Sequence, residues 1–216
     1  MLTLMTSILA TALLAQSPDS IFLSGVVVDA AGKPLSDVEV VLPARRPSDG
    51  ALPTLAHTTT DEKGAFRLEV ARKRFQETAL VPFIWAYLPG RSVAVQQTVM
   101  TEKGVIPPVR LTLAEPLRRT VTILGPDDRP LAGVRLAPVL YAFDGWAWFQ
   151  TPDDRLERLT IASGVDGVAT LPYFPARIDP LTVRVTAPGI APHHLGLPDR
   201  PDRDRITLPS GIASAS

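Results

Sequence analysis

Short runs in which apolar and polar residues alternate recur along the chain and predict β-strands. Residues 38–42 and residues 66–71 place an apolar side chain at every second position, with charged residues such as Arg67 and Glu69 between them. A period of two directs one set of side chains toward a core and the other toward solvent. The 22 prolines recur too often for long helices, although residues 156–161 fit a helical turn and a strand equally well. The pattern predicts an all-β fold in the form of a β-sandwich.

The chain repeats itself once. Three pairs of segments match: residues 26–40 with 122–136, residues 60–68 with 163–171, and residues 88–90 with 187–189. The offset changes from 96 (122 − 26) to 103 (163 − 60) and then to 99 (187 − 88), so loops of different length connect strands of the same order. Two tandem domains are predicted, over residues 21–114 and 117–209, with residues 210–216 as a disordered tail.

The turn and core residues of the first copy carry a family resemblance. They read Gly25-x-Val27-x-Asp29-x-x-Gly32-x-Pro34-Leu35-x-x-Val38-x-Val40, followed by Thr60-Asp61-x-x-Gly64-x-Phe66-x-Leu68. This pattern resembles the carboxypeptidase regulatory-like domain family, and the second copy resembles a degenerate member, with Gly125, Asp128 and Ala169 at three motif positions. The resemblance implies two tandem seven-stranded β-sandwiches of the Ig-like, transthyretin-like kind, within the carbohydrate-binding-like folds. It implies no catalytic residue.

The first fifteen residues are apolar and uncharged. This run is shorter than the roughly 20 residues that a membrane-spanning helix needs, and the breaker Pro18-Asp19 follows it. We predict a signal peptide over residues 1–15, with cleavage between Ala15 and Gln16, and an uncleaved apolar anchor is the alternative. No other apolar stretch reaches spanning length, so no membrane span is expected after cleavage. The expected location is exported: periplasmic, cell-envelope or extracellular.

The charge and cysteine content exclude several classes of function. Lysine plus arginine and aspartate plus glutamate are both 22, which leaves no basic excess for a nucleic-acid partner. The absence of cysteine excludes disulfides, thiolate metal sites and thiol nucleophiles. The absence of asparagine, together with abundant alanine, proline and arginine, indicates a GC-rich bacterial genome.

Candidate metal ligands and catalytic groups do not combine into a known kind of site. His57 precedes three threonines, so it lacks the glutamate that a zinc carboxypeptidase carries three residues after its histidine. His193-His194 are neighbours, whose side chains would point to opposite faces of a strand. The acidic pairs Asp127-Asp128 and Asp153-Asp154 are interpreted as solvated turns rather than calcium ligands. We therefore predict no metal, no cofactor and no catalytic residue.

An aromatic segment provides the strongest candidate for a binding site. Asp144-Gly145 is typical of a two-residue hairpin turn, which would set Phe143 opposite Trp146 and Tyr141 opposite Trp148. Alternation would then place these four aromatic side chains on one face, as a platform for a protein partner or a sugar ring. The alternative is that this face is buried against its own sandwich or against the first domain.

The leading hypothesis is a non-catalytic exported bacterial protein that acts as a structural or protein-interaction module of the cell envelope, where it binds a protein partner. The alternative is a carbohydrate-binding module that uses the aromatic hairpin. A more remote alternative is an enzyme with an unrecognised site, because no set of nucleophile, base and metal ligands converges in the sequence.

Overall fold

The computed structural model describes residues 19–44, 52–78, 83–101, 105–143, 147–174, 181–197 and 204–208. The predicted signal peptide and the predicted tail lie outside these residues. Among the helices of these segments, none has the length and apolar character that a bilayer crossing requires.

The N-terminal half forms two sheets that enclose one apolar core. Its elements are β1 (Ser20–Asp29), β2 (Glu39–Pro43), β3 (Thr54–Thr59), β4 (Ala65–Ala71), α1 (Arg72–Thr78), β5 (Phe83–Tyr87), β6 (Ala94–Gln97) and β7 (Val109–Leu113). In one sheet β1 lies between β4, which is antiparallel to it, and β7, which is parallel. The other sheet has the order β3-β2-β5-β6. Buried side chains of both sheets, such as Val27, Leu68 and Ile84, meet in the core.

The C-terminal half repeats this arrangement with additional elements. They are β8 (Leu117–Leu124), β9 (Arg135–Phe143), β10 (Ala147–Gln150), α2 (Asp153–Leu159), β11 (Ile161–Ala162), β12 (Val168–Phe174), β13 (Leu181–Ala187), β14 (Ile190–Leu197) and β15 (Asp204–Thr207). Here β8 lies between antiparallel β12 and parallel β15, and the second sheet has the order β10-β9-β13-β14, with β11 paired to β9. The prediction of an all-β fold is confirmed.

A buried hydroxyl group braces the same three segments in each half. Thr60 Oγ1 accepts a hydrogen bond from the Val38 N–H (3.0 Å) and donates one to the Leu35 carbonyl (2.7 Å). The corresponding atoms of the C-terminal half belong to Ser163, Val134 and Leu131, at 3.0 and 2.6 Å. Buried backbone groups are costly when they are unpaired, so this brace explains why both copies carry a small hydroxyl residue here. It also confirms the alignment of the two copies at these positions.

The tight turns of the two copies have the same backbone conformation. The described residues with positive φ form four equivalent pairs: Gly32 with Asp128, Asp37 with Gly133, Gly64 with Gly167, and Gly90 with Gly189. Asp128 has a φ of 58°, where the first copy has a glycine at 83°. Aspartate tolerates the left-handed region better than most residues, so the degenerate copy keeps its turn without that glycine.

Replacing Gly64 by alanine should destabilise the protein more than the same change at Gly90. Both glycines have positive φ, which alone costs alanine about 1–2 kcal/mol. A Cβ at Gly64 would lie 2.4 Å from the Val27 carbonyl oxygen, whereas a Cβ at Gly90 would have no atom within 4 Å. Gly64→Ala should therefore lose roughly a further 1–3 kcal/mol of unfolding free energy, measured by chemical denaturation. Equal losses for the two variants would contradict the close turn contact.

Candidate functional site

The predicted aromatic hairpin exists, but its register differs from the prediction. The Cα partners of β9 and β10 are Phe143 with Ala147, Ala142 with Trp148, and Tyr141 with Phe149. The predicted pairing of Tyr141 with Trp148 is therefore wrong by one residue. β9 ends at Phe143 and β10 begins at Ala147, whereas the prediction set Phe143 opposite Trp146. Trp146 lies outside the described residues.

The changed register weakens the argument for an aromatic platform. A shift of one residue exchanges the two faces of a strand relative to its partner. The pairing thus no longer supports one face shared by Tyr141, Phe143 and Trp148. The binding role of these three residues and of Trp146 stays a prediction.

The histidines occupy separate strand positions. His57 is exposed on β3, and His193 and His194 follow each other on β14, opposite Val185 and Arg184 of β13. Consecutive positions of a paired strand point to opposite faces, so the two β14 imidazoles do not face one ion. In the part of the chain that the structure describes, no three histidine or acidic side chains are grouped as metal ligands.

The two halves share an apolar core across the outer face of the sheet β3-β2-β5-β6. Val40, Val41 and Leu42 are consecutive on β2, and all three are fully buried. Val40 and Leu42 point into the N-terminal core, whereas Val41 belongs to the apolar cluster of the C-terminal half. Trp85 and Val93 belong to that same cluster, and Trp85 has no exposed surface. Both faces of this sheet are therefore covered at β2 and β5, whereas β3 keeps His57 exposed.

On the C-terminal side, this shared core includes the end of α2 and the end of β12. Leu159, Tyr173 and Phe174 are buried in the same cluster as Trp85. The Tyr173 hydroxyl donates a hydrogen bond to the Leu159 carbonyl, which ties α2 to β12. The Tyr173 carbonyl in turn accepts a hydrogen bond from the Val93 N–H at 2.9 Å, so a backbone bond crosses between the halves.

Helix α2 begins with two aspartates that bind the N-terminal half. The Asp153 carboxylate accepts a hydrogen bond from the Leu52 N–H at 2.6 Å, and the Asp153 N–H donates to the Leu52 carbonyl at 3.1 Å. The Thr54 hydroxyl donates to Asp154 Oδ1 at 2.9 Å. Asp153 and Asp154 are exposed, as interpreted, but they begin a helix and contact the N-terminal half where a solvated turn was expected. Negative charge in the first turn also suits the positive end of the helix dipole.

A half-buried ion network completes the contact between the halves. Glu39 of β2 binds Arg155 at 2.7 Å and Arg158 at 2.8 Å, both on α2. The side chains of Glu39 and Arg155 are 17% and 13% exposed, so solvent screens this pair less than an ordinary surface pair. The Arg158 guanidinium also lies 5.9 Å from the ring centroid of Tyr87.

Helix α2 was not predicted as the element that joins the halves. The offset between the copies grows by seven residues (103 − 96) across the segment that contains β10 and α2, so this segment is the insertion inferred from the repeat. Pro152 followed by two aspartates was a signal for a helix start, and Leu156 and Leu159 are spaced for one helical face. Nothing local indicated which surface that face would cover.

No protein-family model matches the chain, and no curated protein is similar to it. Among solved structures, the chain is similar to the shaft pilin SpaA from Lactobacillus rhamnosus GG, with 12% identity over 90% of this chain and 98% of that chain, and a TM-score of 0.33. A streptococcal ancillary pilin has 11% identity over 90% of this chain and 63% of that chain, with a TM-score of 0.34. The 3-chlorocatechol 1,2-dioxygenase from Rhodococcus opacus 1CP has 16% identity over 47% of this chain and 62% of that chain, with a TM-score of 0.32.

The ion network predicts different effects for two glutamates that both pair with arginine. Glu39→Gln should lower the free energy of unfolding by about 1.5–3 kcal/mol, because it removes charge-assisted bonds and leaves the half-buried Arg155 with less compensation. Glu157→Gln is the matched control, since Glu157 is 79% exposed in its pair with Arg135 and should change stability by less than about 1 kcal/mol. Urea denaturation measures both. Similar losses would mean that Glu39 does not hold the halves together.

Proposed function

We propose that the chain is an exported, non-catalytic protein of the bacterial cell envelope, in which two sandwiches act as one rigid structural module that binds a protein partner. The module would belong to the carboxypeptidase regulatory-like family in two copies, over residues 21–114 and 117–209. The apolar residues 1–15 support export. The family motif supports a structural role, because motif residues such as Thr60 and Gly64 form turn braces.

The shared core around Trp85 carries this proposal. Domains joined by small polar contacts move relative to each other, whereas a large apolar interface suppresses that motion. Here Val41 and Trp85 have no exposed surface and Val93 is 2% exposed, and α2 adds hydrogen bonds and ion pairs between the halves. A protein with a fixed angle between its two sandwiches can hold partners at a constant distance, which is what a structural module requires.

Rigidity is tested by the rotational correlation times of the two halves, measured by ¹⁵N relaxation. The wild type should give one common value, because the shared core makes both halves tumble together. Val41→Asp places an unpaired carboxylate in the shared core but not in the N-terminal core, so the two values should separate while both halves remain folded. Val165→Asp, at a fully exposed turn, is the control. Independent tumbling in the wild type would refute the rigid module.

Export is tested in the bacterial host by cell fractionation and N-terminal sequencing. The mature protein should be recovered from the envelope, periplasmic or extracellular fraction, with its first residue near Gln16. Intact protein that begins at Met1 in the cytosol would overturn the proposed location. A blocked cleavage, with Met1 retained in the membrane fraction, would instead indicate the apolar anchor.

A further inference from the structure

The edge strands of the four sheets differ in how they are protected against pairing with another chain. Exposed backbone N–H and C=O groups at an edge are a template for a further strand, and proteins block it with charges, prolines, bulges or short strands. β4 carries Arg67 and Glu69, and β12 carries Pro172 at an irregularity of its register. β7 carries Arg110, and β6 and β15 have only four residues each. The first residue of β3, Thr54, is already held by α2.

β14 lacks most of these protections. With eight residues it is the longest edge strand that the structure describes, and it pairs with β13 in regular register from His193 to Leu197, after an irregularity at Ala191 and Pro192. Ala191, Pro192, His194 and Gly196 are exposed, so the strand lies at the surface. Pro192 protects only its beginning. The segment His193–Leu197 remains as a regular edge about 17 Å long.

The charge of β14 indicates which partner it accepts. Residues 190–197 contain no lysine, arginine, aspartate or glutamate. A strongly charged partner strand would therefore find no complementary charge there, whereas a second β14 would meet no like charge. On the neighbouring strand β13 the one formal charge is Arg184, opposite His194. In a pair of β14 strands the two Arg184 residues would be three strand spacings apart, about 14 Å, which exceeds the screening length at physiological salt.

We propose that β14 pairs antiparallel with β14 of a second copy of this chain, through His193–Leu197, and joins the two sheets β10-β9-β13-β14 into one. Two-fold symmetry makes such an interface self-complementary, because every contact that one chain makes with the second is also made by the second chain with the first. Backbone hydrogen bonds supply the affinity, as in other cases of strand addition. The pairing names one partner for the structural module proposed above and rests on that proposal. Leu197 of β14 belongs to the apolar cluster of the shared core, and pairing through the backbone of the strand edge leaves that cluster buried.

The oligomeric state of the mature chain, which begins at Gln16, tests this pairing. Light scattering coupled to size-exclusion chromatography at 10–200 μM should give twice the mass of one mature chain. Gly196→Lys introduces the charge that natural edges use, at a position where a Cβ meets no atom within 4 Å. It should weaken dimerisation at least tenfold, while Gly196→Ala, the matched control, should remain a dimer. His194→Lys and His194→Gln repeat the comparison at a second exposed position, and melting temperatures verify that each variant is folded.

Amide hydrogen exchange locates the interface. In the wild type, the N–H groups of residues 193–197 should be more protected at high protein concentration than at low concentration. A monomeric wild type overturns the proposal, as does a dimer that both lysine variants leave unchanged, since it would use another surface. Binding of β14 to a different protein by a monomeric chain also overturns it. None of these results affects the rigidity and export of the module, which the relaxation and fractionation experiments decide separately.

Discussion

The structure depends on the burial of one sheet face of the N-terminal sandwich by the C-terminal half. Trp85 and Val41 lie on this face, and both are fully buried in an apolar cluster that belongs mainly to the C-terminal core. Truncating a buried tryptophan costs about 3–5 kcal/mol, a large part of the stability of a small domain. The interface is therefore a continuation of the core rather than a contact between two finished surfaces, and it ties the two sandwiches into one body.

The polar contacts of α2 depend on that apolar contact. A helix of seven residues is not stable alone, because helix nucleation is costly and short helices gain their stability from packing. Leu156 and Leu159 supply the packing, and the helix then presents Asp153 to the Leu52 backbone and Arg155 to Glu39. These groups fix the orientation of the two halves, because their hydrogen bonds and ion pairs form at one angle between the halves. The segment inserted in the second repeat therefore binds the first repeat and holds it in place.

The two copies keep the same braces while their sequences diverge. Thr60 and Ser163 bond equivalent backbone groups, and the left-handed turn position of Gly32 is taken by Asp128 in the second copy. Selection for the turn therefore acts on the backbone conformation and on the paired hydroxyl, and several residue types meet both demands. Helix α2, through which the second copy contacts the first, has no counterpart in the first copy, because it lies in the inserted segment.

The sequence by itself determined the all-β fold, the strands at residues 38–42 and 66–71 and the alignment of the turns of the two copies. These features follow from short-range causes: the period of two at residues 38–42, and the need for glycine where Gly64 and Gly167 approach a neighbouring carbonyl. The predicted register of the aromatic hairpin was wrong, because Phe143 pairs with Ala147 and every following pair is displaced by one residue from the prediction. Only the tertiary structure decided that Val41 and Trp85 lie between the halves and that Asp153 binds Leu52. Each of these contacts joins residues far apart in the chain, and burial of that kind leaves no periodic signal in the local sequence.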